Sequence, residues 1–270
     1  MHRLLTVASL SAAAALALAA CTAPPAPASD LPAPTGTASS STTHWSYDDD
    51  DGGAAGWAAL SPEWSTCSTG TAQSPIDLPL DAPSGAGATV LTGAAEIEEA
   101  DTGHASQVTV DEGGSTVYFA GTSYDLLQIH AHTPAEHTVD GVAHAAEIHL
   151  VHTDSAGRLL VLALLADEGA PSDAWQPVID TATAENGADA VVDVADLLPA
   201  AASTWTYEGS LTTPPCTEGV RWVVFEQPVT LSPEQIEALD SAHHHNSRGV
   251  QPLGDREVVR AVSTVSPGMR

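Results

Sequence analysis

From about His44 onward, apolar residues either alternate with polar ones or run unbroken over a strand's length, and turn residues separate these stretches at short intervals. A period of two and short continuous apolar runs both predict strands. They fall at 106–110, 115–120, 124–132, 144–152, 158–166 and 220–225. Helical signals are few. The best is Ser232-Pro233-Glu234-Gln235, which offers a capping serine, proline at the first helical position and glutamine three residues after the cap, ahead of Ile236 and Leu239. A weaker helix is predicted over 173–183, interrupted by Pro177. No internal repeat is visible. The pattern predicts one mainly β (α+β) domain over 44–270, with short helices at its margins.

The N-terminal stretch differs. Met1-His2-Arg3 is followed by an apolar run from Leu4 to Ala20 without a charge, the pattern of a signal peptide over 1–20. Its end, Leu18-Ala19-Ala20-Cys21, resembles the lipobox of bacterial lipoproteins, which implies a lipid on Cys21, export and attachment to the extracytoplasmic or cell-surface side of a membrane. An uncleaved or buried apolar helix is the alternative. Residues 21–43 are dominated by Ala, Pro, Ser and Thr, with one acid and no aromatic, too little apolar area to offset ordering entropy. This composition suits an extended, disordered tether.

Charge and cysteine narrow the chemistry. Seven basic residues, all arginine, face 35 acidic ones among 270, a net charge of −28. Such a surface is a poor partner for nucleic acid or anionic headgroups and suits cations and small neutral molecules. With Cys21 assigned to lipid, Cys67 and Cys216 remain, and outside the cytoplasm two such cysteines are expected to pair, two free buried thiols being the alternative.

Among twelve histidines, one group has geometry behind it. His130 and His132 share a strand face, and His149 lies in the next strand-like segment, far enough on for the chain to return alongside. Three imidazoles leave the fourth tetrahedral position of a zinc ion open, as in catalytic sites. Gln128 and Glu147 each lie two residues before a histidine, hence on its face, placed to accept the second ring N–H and orient the ligand. An inward carboxylate such as Glu147 is costly without such a partner.

At these residues the sequence resembles the α-class carbonic anhydrases. The likeness is carried by His44-Trp45-Ser46-Tyr47, Gln73-Ser74-Pro75-Ile76-Asp77, Gly103-His104, Gln128-Ile129-His130-Ala131-His132, Glu136-His137-Thr138-Val139-Asp140-Gly141, Glu147-Ile148-His149-Leu150-Val151-His152, Gly209-Ser210-Leu211-Thr212-Thr213-Pro214-Pro215, and Asn246-Ser247-Arg248 before Gln251-Pro252-Leu253. The resemblance implies a central, twisted, mostly antiparallel sheet of about ten strands, one Zn²⁺ per chain on His130, His132 and His149, and a disulfide between Cys67 and Cys216. It implies reversible hydration of CO₂ to bicarbonate by zinc-bound hydroxide, whose parent water has a pKa of about 7 in carbonic anhydrase itself.

Further roles are implied by the same resemblance. Thr212, held by Glu136, orients the nucleophile, while Val151, Val161, Leu211, Thr213, Val220 and Trp222 contact the substrate. His104 exports the proton through water ordered by Tyr47, Thr102 and Gln107. His137 has a structural role beside Glu136. Family members are monomers or homodimers. The chain departs from the family pattern at Ala131, where an aromatic is usual, at Thr133-Pro134 in place of Trp-Gly, at Asp101-Thr102 in place of an asparagine pair, and at Glu208 in place of a proline. The run His243-His244-His245 and the acids at 48–51 read as solvated loops. Three other readings stay open: a non-catalytic binding module on this fold, an exported copper–zinc superoxide dismutase, and a zinc-carrying lipoprotein.

Overall fold

The computed structural model describes residues 43–47, 53–100, 102–184, 187–199 and 201–268. The signal segment, Cys21, the tether up to 42, the acids at 48–51 and Asp101 lie outside them. Strands dominate: β1 (Asp77–Leu78), β2 (Thr89–Glu99), β3 (Gln107–Phe119), β4 (Thr122–His132), β5 (Thr138–Val139), β6 (Val142–Ala143), β7 (Ala146–Thr153), β8 (Leu159–Glu168), β9 (Asp189–Asp193), β10 (Ala201–Ser210), β11 (Glu218–Leu231) and β12 (Val259–Pro267). The helices are short: α1 (Trp57–Leu60), α2 (Thr66–Thr69), α3 (Gln176–Ala182), α4 (Val194–Leu197) and α5 (Pro233–Ala242), with a 3₁₀ turn at Pro62–Trp64.

Nine strands form one sheet in the order β12-β10-β11-β8-β7-β4-β3-β2-β9, and β12 also pairs with β2. Only β11–β8 and β12–β2 are parallel within it. The mainly β architecture and mostly antiparallel sheet thus agree with expectation. A separate three-stranded sheet, β1-β5-β6, stands apart, so the central sheet has nine strands among the described residues.

The unbroken apolar run of β8 explains the layering. Leu160, Leu162 and Leu164 enter one core with Ile129, Ile148 and Leu150, closed over by Trp175, Val178 and Ile179 around α3 and by Leu239 of α5. Val161, Ala163 and Leu165 enter a second core with Trp205, Tyr207, Trp222 and Val224. A central strand buried on both faces needs no polar alternation. Each large apolar side chain so buried contributes about 1.5–3 kcal/mol.

Two elements differ from the sequence pattern. The strands expected at 106–110 and 115–120 are one strand, β3, whose pairing with β2 shifts register between Thr92 and Ala95. Gly113 and Gly114 bend it there at φ 82° and 87°, and a Cβ on Gly113 would lie 2.1 Å from the Ala94 carbonyl oxygen. The glycine pair that reads as a break is a bulge. Pro177 does not interrupt α3 but sits in its first turn, where the missing N–H has no helical partner to lose. In α5 the expected capping box is formed, Gln235 N–H donating to Ser232 Oγ (3.3 Å) and Ser232 N–H to Gln235 Oε1 (3.0 Å). Cys67 and Cys216 form a disulfide across 149 positions.

Candidate active site

Strand register assembles the site. Across neighbouring strands Gln107, His130, His149 and Ala163 stand opposite one another in a row, and Gln128, Val151, Val161 and Trp222 form the next. Residues two apart on a strand share a face, so His132 joins His130, and Glu147 joins His149. The return of β7 alongside β4 therefore converges three imidazoles beside an apolar row.

Each ring is held by one nitrogen. His130 Nδ1–H donates to Gln128 Oε1 (2.8 Å), His149 Nε2–H to Glu147 Oε1 (2.9 Å), and His132 Nδ1–H to the main-chain oxygen of Asn246 (2.6 Å). That leaves His130 Nε2, His132 Nε2 and His149 Nδ1. One ligand atom from each residue lies within 4.8 Å of the others, and His130 Nε2 stands 3.2 Å from His149 Nδ1. Nitrogens about 2.0–2.1 Å from a tetrahedral zinc would be about 3.3 Å apart. His132 Nε2 is buried with no hydrogen-bond partner, as is Glu136 Oε2, and the two are 3.6 Å apart. Buried polar atoms without partners are expensive, so this cluster fits a metal ion. Burial, then the neighbouring rings, keeps the His130 imidazole well below its ordinary pKa. Burial does the same for His132, against the pull of Glu136. Both are thereby neutral, the form that binds metal.

Behind the three imidazoles runs a fully buried polar chain. His137 Nδ1–H donates to Glu147 Oε1 (2.6 Å), Tyr207 O–H to His137 Nε2 (2.6 Å), and Tyr207 and Ser74 bond at 2.8 Å. Glu147 Oε2 accepts the N–H groups of Glu136 and His137. Burial alone would raise the Glu147 pKa, but His137 and His149 hold it well below the carboxylate range. Gly209 lets β10 approach this chain, since a Cβ there would meet Ser74 Oγ at 2.1 Å. His137, Glu147 and His149 also cluster tightly, but they bond to one another, and among the described residues no third such group exists.

The imidazoles floor a cleft of about 310 Å³. Its apolar wall is Val151, Val161, Leu211 and Trp222, with Thr212 and Thr213 beside it, while Tyr47, Thr102, His104, Gln107 and Gln128 line the polar side. Val220 does not line the cleft: it lies one alternation before Trp222 on β11 and is packed into the second core. The expected Thr212–Glu136 hydrogen bond is not formed. Glu136 Oε1 instead accepts Arg248 N–H (2.9 Å), and Oε2 is turned toward His132. His104 stacks on Trp45 with ring centroids 3.8 Å apart. Next to Ala131, a small apolar void lined by Ile129, Ile148, Trp175 and Leu239 adjoins His130, with the unpartnered Ser106 hydroxyl at its edge.

Sequence reasoning picked out Asn246 in a family fragment but missed its role, because the group that holds His132 is a main-chain carbonyl from a distant loop, which no residue type advertises. It also missed Leu127 and Leu159 in the cleft wall. Leu127 reaches it because the β4–β7 register shifts between Leu126 and Gln128, which breaks the strict alternation.

A mostly antiparallel sheet carrying three convergent imidazoles at the foot of a half-apolar cleft is a scaffold that could hold one metal ion. Comparison with known proteins makes it particular. The sequence model described as eukaryotic-type carbonic anhydrase matches residues 52–262. The carbonic anhydrase of Pectobacterium carotovorum is 35% identical over 232 residues, covering 81% of this chain and 91% of its own. Among solved structures, the α-carbonic anhydrase of Thermovibrio ammonificans in complex with the inhibitor sulfanilamide is 36% identical with a TM-score of 0.72, covering 80% of this chain and 99% of its own. Dioscorin complexed with ascorbate is 30% identical, also at TM-score 0.72, covering 80% and 97%. The chain belongs to the carbonic anhydrase family: it is a lyase, and its family supports hydration of carbon dioxide.

Proposed function

We propose that the protein hydrates carbon dioxide reversibly at one zinc ion held by His130 Nε2, His132 Nε2 and His149 Nδ1. The observation that carries this reading is the convergence of three outer-bonded imidazoles, one with an unpartnered buried nitrogen, beside an apolar wall. Zinc bound there supplies a nucleophile at neutral pH, by lowering the pKa of a water to about 7, the figure established for carbonic anhydrase.

The chain's own residues do the rest. Gln128, Glu147 and the Asn246 carbonyl fix the three rings in one tautomer each. Val151, Val161, Leu211 and Trp222 offer CO₂, which has no charge and little hydrogen-bonding power, a surface with no polar group to compete for. Glu136 Oε2 has no partner and would accept a hydrogen bond from the Thr212 hydroxyl. Because an ionised carboxylate only accepts, Thr212 would then face the incoming oxygen as an acceptor and orient its lone pair toward carbon. His104, at the polar side of the cleft, takes the released proton and passes it to buffer, with Tyr47, Thr102 and Gln107 ordering the water between. Imidazole titrates near neutrality, which suits two-way transfer.

We place the domain outside the cytoplasm, after a cleaved signal segment and a tether from 21 to 43, with lipid on Cys21. The Cys67–Cys216 disulfide suits an oxidising compartment. No helix among the described residues is long and apolar enough to cross a membrane. A mature N-terminal peptide carrying lipid on Cys21 by mass spectrometry supports the anchor, and an unmodified peptide starting at Met1 refutes it. The catalytic reading is tested by removing metal from the full chain with a chelator. CO₂ hydration should vanish and return with one equivalent of zinc; hydration that survives complete zinc removal refutes it.

A further inference from the structure

Strand β4 ends at His132, and what the next residue, Thr133, touches ties the three-histidine site to a distant loop. Thr133 Oγ–H donates to Asp240 Oδ1 (2.9 Å), in the last turn of α5. Asp240 Oδ2 accepts from His244 Nδ1–H (2.9 Å), and the carboxylate also receives the backbone N–H of His245. His245 sits at φ 50°, a left-handed conformation unfavourable for a residue with a Cβ. That turn delivers Asn246, whose main-chain oxygen accepts His132 Nδ1–H at 2.6 Å and whose side-chain oxygen accepts Thr133 N–H at 2.8 Å. Its amide nitrogen donates to the Ala131 carbonyl (2.9 Å) and the His104 carbonyl (3.3 Å). The bonds close a ring, from Thr133 through Asp240 and the 243–246 loop to Asn246 and back to Thr133 and His132.

We propose that Asp240 is a positioning residue, which through Thr133 and the 243–246 loop fixes the Asn246 carbonyl against His132 and so sets the geometry of the metal centre. The proposal rests on the reading of His132 as a metal ligand. Its physical basis is that His132 alone among the three is oriented by loop backbone rather than by a side chain on its own sheet. A loop carbonyl holds position only as well as the loop does. Asp240 braces both ends of it at once, Thr133 on the strand side and His244 and His245 on the loop side, and offsets the cost of the left-handed turn. Partial burial works to raise the Asp240 pKa, but the bonds from His244, Thr133 and His245 prevail and hold it below its ordinary value. It is therefore an ionised acceptor at neutral pH, able to take all three donors. The brace uses Thr133, where this chain departs from its family's usual tryptophan.

The test uses the full zinc-loaded chain and its Asp240→Ala, Thr133→Val and Thr133→Ser variants. Zinc release into excess chromophoric chelator should be about tenfold or more faster in Asp240→Ala and Thr133→Val, the scale of losses when an outer partner of a ligand is removed. Thr133→Ser, which keeps the hydroxyl, should release zinc at close to the unmodified rate. The visible spectrum of cobalt(II)-substituted Asp240→Ala should shift, which a loss of stability elsewhere would not cause. Should Asp240→Ala not fold, Thr133→Val, nearly isosteric, decides alone. Folded variants that release zinc at the unmodified rate overturn the proposal while leaving the three-histidine centre intact. Failure of the unmodified chain to hold zinc overturns the metal reading, and this proposal with it.

Discussion

His130 and His149 give their outer hydrogen bonds to side chains two residues before them on the same strand, and for that reason their partners could be read from spacing. His132 gives its own to the Asn246 carbonyl in a loop, so no spacing reveals it. His104 lies in the cleft but outside the ligand set, and His104→Ala should lower kcat in weak buffer by about a hundredfold, with kcat/KM little changed and added imidazole restoring turnover. Equal loss in kcat and kcat/KM would remove its proton-transfer role. His152 is a different case. It is fully buried, with Nδ1–H on the Leu150 carbonyl and Nε2 accepting from Ser115 Oγ, each at 2.8 Å. Burial pushes its pKa down to about 4. A histidine neutral in the fold but protonatable near pH 6.5 when unfolded gives full stability above 6.5. That stability is lost as pH falls toward 4, because the unfolded chain then binds the extra proton. The loss should approach about 3 kcal/mol at pH 4, and denaturant melts of His152→Gln should show a flatter slope over that window. An unchanged slope would mean the ring does not carry it.

At the scale of elements, strands with a clear period or an unbroken apolar run were legible, and those divided by glycine or mixed in composition were not. β4, β7 and β8 carry the site, and their apolar patterns pointed to them directly. β3 was split in two by its glycine pair, because a bulge and a turn draw on the same residue. β2, β9, β10 and β12 mix apolar with small and polar residues, and it is pairing with neighbours that makes them strands. The capping box of α5 was readable because its two bonds are local. The disulfide anchors α2 to the turn that follows Thr212 and Thr213, where Cys216 N–H donates to the Thr213 carbonyl (2.8 Å). Closing a loop of 149 positions should contribute about 5 kcal/mol in the chain-entropy account. Cys216→Ser should therefore show a large drop in the denaturant midpoint, and a change below about 1 kcal/mol would count against it.

Over the whole molecule, acidity is the dominant feature. Each of the five described arginines is engaged: Arg158 with Asp154, Arg221 with Glu208, Arg260 with Glu226, Arg256 with main-chain oxygens including that of Leu253, and buried Arg248 with Gln73 and Ser74. The described surface therefore offers no unengaged arginine to an anionic partner, and a net charge of −28 repels itself. Raising salt from 10 mM to 1 M shortens the screening length from about 30 Å to about 3 Å. Tm should rise accordingly, by about 2–4 °C for each kcal/mol of repulsion relieved. A Tm that stays level or falls would show that the charge is already balanced locally. The central claim is the reaction at three histidines, and stopped-flow CO₂ hydration by the full zinc-loaded chain beside His149→Ala tests it most directly. Fast hydration that drops at least about a thousandfold in the variant is the predicted result. A folded chain holding one zinc that hydrates CO₂ no faster than buffer, or a variant that keeps full activity, would contradict it.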